Sequence, residues 1–124
     1  MRRRSFALLA TRIYSGCDGE SHFEDVEVPL HDRGAIGRLS DLEAATGVVF
    51  RVTKSDYDYG WHNAPRRQYV VMLSGGRVEI EIGDGTTRRF GPGDILLAED
   101  LTGRGHISRA IDAAPRVSLF VTLD

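Results

Sequence analysis

Apolar and polar residues alternate along much of this chain with a period of two. In Arg77-Val78-Glu79-Ile80-Glu81-Ile82, Val78, Ile80 and Ile82 fall on one face and the charges on the other. Gln68-Tyr69-Val70-Val71-Met72-Leu73 is nearly continuous in apolar residues, as in a strand buried on both sides. Val48 to Val52, Asp94 to Ala98, His106 to Ile111 and Val117 to Leu123 read as further strands, and Thr86 to Phe90 as a charged, half-buried one. Upstream, Phe6 to Tyr14 and His22 to Val28 read as strands, the second ended by Pro29. Turn residues stand between: Ser74-Gly75-Gly76, Gly83-Asp84-Gly85 and Gly91-Pro92-Gly93. One helix is expected, Leu39 to Thr46, capped by Ser40, with Glu43 three residues on and Gly47 as its stop. Short strands at this spacing predict an all-β sandwich or barrel with at most one or two short helices.

Length and composition narrow the function. The 124 residues amount to one domain, 1–124, with its core barrel over 47–124. Apolar residues are 41% and charged residues 27%, a globular balance. Sixteen basic against 18 acidic side chains leave a net charge of -2, so there is no basic field for nucleic acid. Cys17 is the only cysteine, which excludes an intramolecular disulfide and a thiolate zinc site. Met1-Arg2-Arg3-Arg4 followed by Phe6 to Ala10 resembles the start of a signal peptide, but the apolar run stops at Thr11-Arg12. No stretch approaches the ~18 apolar residues of a membrane span. The expectation is a cytoplasmic protein with no membrane and no nucleic-acid partner.

Strand parity collects the candidate chemistry. Gln68, Val70 and Met72 share a face, and the register run backwards adds Arg66, Ala64 and His62. His106 opens a later strand after Leu101-Thr102-Gly103-Arg104-Gly105. Two imidazoles and an amide oxygen, from His62, His106 and Gln68, can bind a divalent metal on one face and leave positions open.

From Gly60 to His106 the chain resembles a cupin. His62 falls on the first His of the family's first motif and Gln68 on its Glu, with Gly75 after six intervening residues. Phe90-Gly91-Pro92-Gly93-Asp94 matches the second motif, whose His is His106. The resemblance covers just under half of the chain. It implies a jelly-roll barrel, a homodimer, and N-terminal strands within 1–30 that pack across the barrel or onto the partner. Two positions depart from the family: Ala64 stands where a second His is usual, and Gln68 where a Glu is usual. Gln offers a neutral oxygen, a weaker ligand than a carboxylate for a hard dication. A barrel loaded with Fe, Mn, Ni or Zn and a metal-free one both remain open.

The resemblance implies a small-molecule enzyme, a dioxygenase or an isomerase or lyase, or else a non-catalytic ligand-binding barrel. His22 shares a strand face with Glu24 and is a candidate ligand or acid/base, or lies on a solvated edge. Glu99 and Asp100 end a strand before the His106 loop, placed to act as a general base or to serve a turn. Arg66 is a candidate to hold a substrate carboxylate or phosphate, or to form a surface ion pair. Tyr57, Tyr59 and Trp61 flank His62 and can stack on a planar ligand or pack the rim, and Met72 lines the same lumen. Other chemistries find no residues: the chain has no phosphate loop with Lys and Ser/Thr, and no Gly-x-Ser-x-Gly elbow.

Overall fold

A computed structural model describes residues 7–124. The leader Arg2–Arg4 and Phe6 of the first expected strand lie outside the described residues. Six strands form one open sheet: β1 (Ala7–Ser15), β2 (Ser21–Pro29), β5 (Gly47–Thr53), β7 (Gln68–Gly75), β10 (Ile95–Glu99) and β12 (Arg116–Thr122). Their order is β2-β1-β10-β7-β12-β5. A second open sheet holds β6 (Asp58–His62), β8 (Val78–Glu81), β9 (Thr87–Phe90) and β11 (His106–Ala110), ordered β6-β11-β8-β9. The chain crosses repeatedly between the two, giving an all-β fold of the jelly-roll type.

The period-two pattern explains the packing. Ile13, Val70, Met72, Leu96 and Ala98 of the large sheet meet Val78, Ile80 and Phe90 of the small one in a single buried cluster. Burying each of the larger side chains stabilises the fold by about 1.5–3 kcal/mol. Gly83-Asp84-Gly85 joins β8 to β9 as a hairpin, with Val78 opposite Phe90 and Glu81 opposite Thr87. The Gly-Pro-Gly-Asp turn is closed by the Asp94 carboxylate, which accepts from the Gly91 N–H at 2.8 Å. It is pinned to β7 by hydrogen bonds between Met72 and both Gly93 and Asp94.

One expectation changes. Leu39 to Thr46 is not helical: Leu39 pairs with His31 in a two-residue ladder of β3 (His31–Asp32) and β4 (Arg38–Leu39), and 40–46 runs on without regular structure. The only helical turn among the described residues is the three-residue 3₁₀ turn Gly34–Ile36. An eight-residue helix is marginal without an apolar face to bury, and Leu42 is fully exposed. The Ser40 hydroxyl bonds the Asp41 carbonyl instead of capping. The N-terminal strands β1 and β2 belong to the large sheet. β1 runs parallel to β10, with Ile13 opposite Ala98 and fully buried.

The outer face of the large sheet is apolar. Cross-strand neighbours make one row of Phe50, Leu119, Val71 and Ile95 and another of Val48, Val121, Tyr69 and Leu97. Phe50 on the edge strand β5 is 80% exposed. The segment 31–46 is exposed throughout, Ile36, Leu39 and Leu42 included. Its side chains reach the sheet through Glu43, which accepts from Tyr69 Oη at 2.6 Å, and Thr46, bonded to Thr122 Oγ1 at 2.7 Å.

Candidate functional site

A cavity of about 330 Å³ opens between the two sheets, at the small end of ligand-sized cavities. Val70, Met72, Val78, Ile80, Leu96 and Phe120 supply its apolar wall. His62, Gln68 and His106 line it together, but backward parity is not what joins them: His62 ends β6 in the small sheet, whereas Gln68 opens β7 in the large one. β6 is a strand separate from β7, where the register run back from Gln68 implies one continuous strand. It forms by pairing with β11, and this sets His62 directly opposite His106. Their ring centroids are 4.4 Å apart. The ladder shifts register between His106 and Ser108, a bulge of the kind that re-aims side chains beside a site.

Both imidazoles are oriented by acceptors. His106 Nδ1 lies 2.5 Å from Asp100 Oδ2. Asp100 is fully buried and also accepts from Ser21 Oγ at 2.8 Å, while its Oδ1 has no partner. His62 Nδ1 lies 2.6 Å from the Gly60 carbonyl. An ionised carboxylate and a carbonyl only accept, so both rings carry their proton on Nδ1 and keep Nε2 free. Burial pushes the His62 pKa below its ordinary value, and the neighbouring His106 and Arg51 push the same way against the Gly60 carbonyl and Asp100. His62 is therefore neutral near pH 7. Tyr59 stacks on it, centroids 4.1 Å apart and planes 16° apart.

The remaining expected residues divide. Tyr57, Tyr59 and Met72 line the cavity. Asp100 sits behind His106 and orients it rather than facing the cavity. Glu99 lies on the opposite side of β10 between Arg12 Nε at 2.5 Å and Arg67 Nε at 2.7 Å. Burial alone would raise its pKa, but those two hydrogen bonds prevail and hold it below the ordinary value. His22 stands on β2 against Asp18 at 3.0 Å, away from the cavity, as an edge-strand residue. Trp61 points outward under the Arg104 guanidinium, 4.2 Å from ring centroid to Cζ. Arg66 is exposed, and its Nη1 comes only within 3.5 Å of Gln68 Oε1. Pro65 interrupts the strand before Arg66, so backward parity does not carry its side chain inside.

Sequence reading passed over Arg51 and Arg116, which line the cavity from β5 and β12. Arg51 is the one charged residue of an apolar strand. The apolar set Val48, Phe50 and Val52 in fact faces outward, and Arg51 faces in. Burial lowers the Arg116 pKa, Arg51 adds to the effect, and Tyr57 opposes it.

The donor chemistry fits a resident dication poorly. The cavity presents two imidazoles and two amides, Asn63 and Gln68, with no carboxylate, and shares its wall with two guanidinium groups. Among the described residues, no group of three His, Cys, Asp or Glu is placed to hold a metal. Protein-family models give no match to this chain, and the curated proteins give none either.

Proposed function

We propose that this chain is a cupin-type small-molecule enzyme that moves a proton on a substrate held between its sheets, as an isomerase or lyase does. The observation that carries this reading is the buried Ser21–Asp100–His106 relay ending on a ring that faces the cavity. Asp100 holds the His106 tautomer and stabilises the imidazolium that forms when Nε2 takes a proton. Neutral His62, beside it on the neighbouring strand of the same sheet, is placed to exchange a second proton with the same small substrate from the same wall of the cavity. Oxygenation is the less favoured chemistry, since it asks the neutral set His62, His106 and Gln68 to hold Fe, Mn, Ni or Zn beside two guanidinium charges.

A general assay is deuterium incorporation from heavy water at the carbon next to the carbonyl of small keto acids, followed by proton NMR. Exchange is expected with wild type and should fall about a hundredfold or more in His106→Gln. Exchange that is absent, or equal in the variant, overturns the catalytic reading. Saturable binding without exchange would then make the chain a non-catalytic ligand barrel. Metal analysis is the companion measurement: near one equivalent of a transition metal, lost in His62→Ala and His106→Ala, overturns the metal-free form.

A second copy of the chain is the proposed partner. The apolar outer face and the exposed apolar side chains Ile36, Leu39 and Leu42 of the 31–46 segment are two exposed surfaces of one molecule, and a two-fold pairing covers both at once. No helix among the described residues is long and apolar enough to cross a membrane. A cytoplasmic location is proposed, in keeping with a lone exposed Cys17 and no disulfide.

A further inference from the structure

Arg51 and Arg116 stand on adjacent strands, where Arg51 pairs with Ser118 and Arg116 with Thr53. Both flank Tyr57, with Cζ atoms 5.1 Å and 5.7 Å from its ring centroid. Arg51 also lies 5.7 Å from the Phe120 ring. Among the described residues, neither has a carboxylate within ion-pair distance, whereas Arg12, Arg67, Arg77, Arg104 and Arg109 each sit against one. Arg116 is only 8% exposed. A buried cation without a counter-charge is costly, and two side by side repel each other. Aromatic faces offset only part of this. The cost is tolerable where the site exists to meet an anion, and the two guanidinium groups offer paired N–H donors of the geometry that oxyanions accept.

The geometry points to an oxyanion site: Arg51 and Arg116 take the carboxylate or phosphate of a small ligand whose apolar body lies against Val70, Met72, Ile80 and Phe120. Arg51 acts on the charge of His62 through space, so the oxyanion site and the histidine pair share one cavity. This assignment concerns binding and stands whether or not the histidines move a proton.

The test is an NMR titration of the isotope-labelled protein with benzoate, phenyl phosphate and neutral benzamide, read at backbone amides and at the arginine Nε–Hε groups. Saturable shifts are expected with an anion and at least about tenfold weaker binding with benzamide. Tighter binding of benzoate indicates a carboxylate ligand, and of phenyl phosphate a phosphate ester; either result supports the site. Arg51→Gln and Arg116→Gln should each weaken anion binding about tenfold or more, and Arg66→Gln should leave it unchanged. Arg51 is the more exposed of the pair, so Arg51→Gln keeps the test sharp if the Arg116 variant does not fold. The site is overturned if benzamide binds as tightly as the anions, if neither anion gives saturable shifts, or if binding survives both substitutions. It is also overturned if Arg66→Gln alone abolishes binding.

Discussion

At the residue scale, the Asp100 carboxylate serves two donors with one oxygen and leaves the other buried and unpaired. Asp100→Ala strands the Ser21 hydroxyl and the His106 N–H, at a cost of about 1–3 kcal/mol each, measurable by urea unfolding. Asp100→Asn keeps the volume and one acceptor. It should lower activity far more than stability, a difference read by comparing the turnover and melting temperature of the two variants. His62 gives a pH prediction. Its pKa is lowered from the ordinary 6.5, so the unfolded chain takes up the proton first. The resulting penalty is absent well above pH 6.5 and grows as pH falls from there through the folded midpoint. Unfolding measured from pH 7.5 down to 5 should show wild type losing more stability than His62→Gln. The histidines were legible because a motif spacing fixes them. The arginines were not, because a lone charge in an apolar strand looks the same whether it faces a cavity or water.

At the element scale, the strands follow from the sequence where one face is buried. β8, β10 and the first five residues of β7 alternate between buried and half-buried positions. β6 and the 40–46 segment were misread for opposite reasons. β6 has a weak pattern and forms through its neighbour β11, whereas 40–46 has local helix cues and nothing to pack on. The pairing of β6 with β11 depends on a close approach at Gly105. Its φ is +80°, and a Cβ there would stand 1.9 Å from the His62 carbonyl oxygen. Gly105→Ala should therefore push the histidines apart and cost clearly more than about 1 kcal/mol. Gly85 has φ +87° but nothing within 4 Å of a Cβ, so Gly85→Ala should cost only the backbone strain. Thermal unfolding of the two variants, together with His62 and His106 ring shifts by NMR, checks the contrast.

At the scale of the whole molecule, the apolar outer face makes association a measurable expectation. Sedimentation should show a dimer, with a melting temperature that rises with protein concentration. Phe50→Glu, at the most exposed position of the Phe50–Leu119–Val71–Ile95 row, should give a monomer with an unchanged fold by circular dichroism. A monomeric wild type, or a dimer that survives Phe50→Glu and Leu42→Glu together, overturns this assembly.

The order of the large sheet, β2-β1-β10-β7-β12-β5, has a consequence for how the chain comes into being. Apart from the β1–β2 hairpin, every neighbouring pair in that sheet joins segments distant in sequence, and the Ser21–Asp100 bond spans 79 positions. Loop-closure entropy must be met before such contacts reward it, so folding should be slow for this size. On the ribosome, β1 emerges long before its partner β10, and β5 waits for β12. Arg51 cannot meet Arg116 until β12 has been made, nor Asp100 orient His106 until β11 has. The cavity then appears only after the strands that wall it, and a nascent chain stalled before β12 would expose its apolar strands to chaperones.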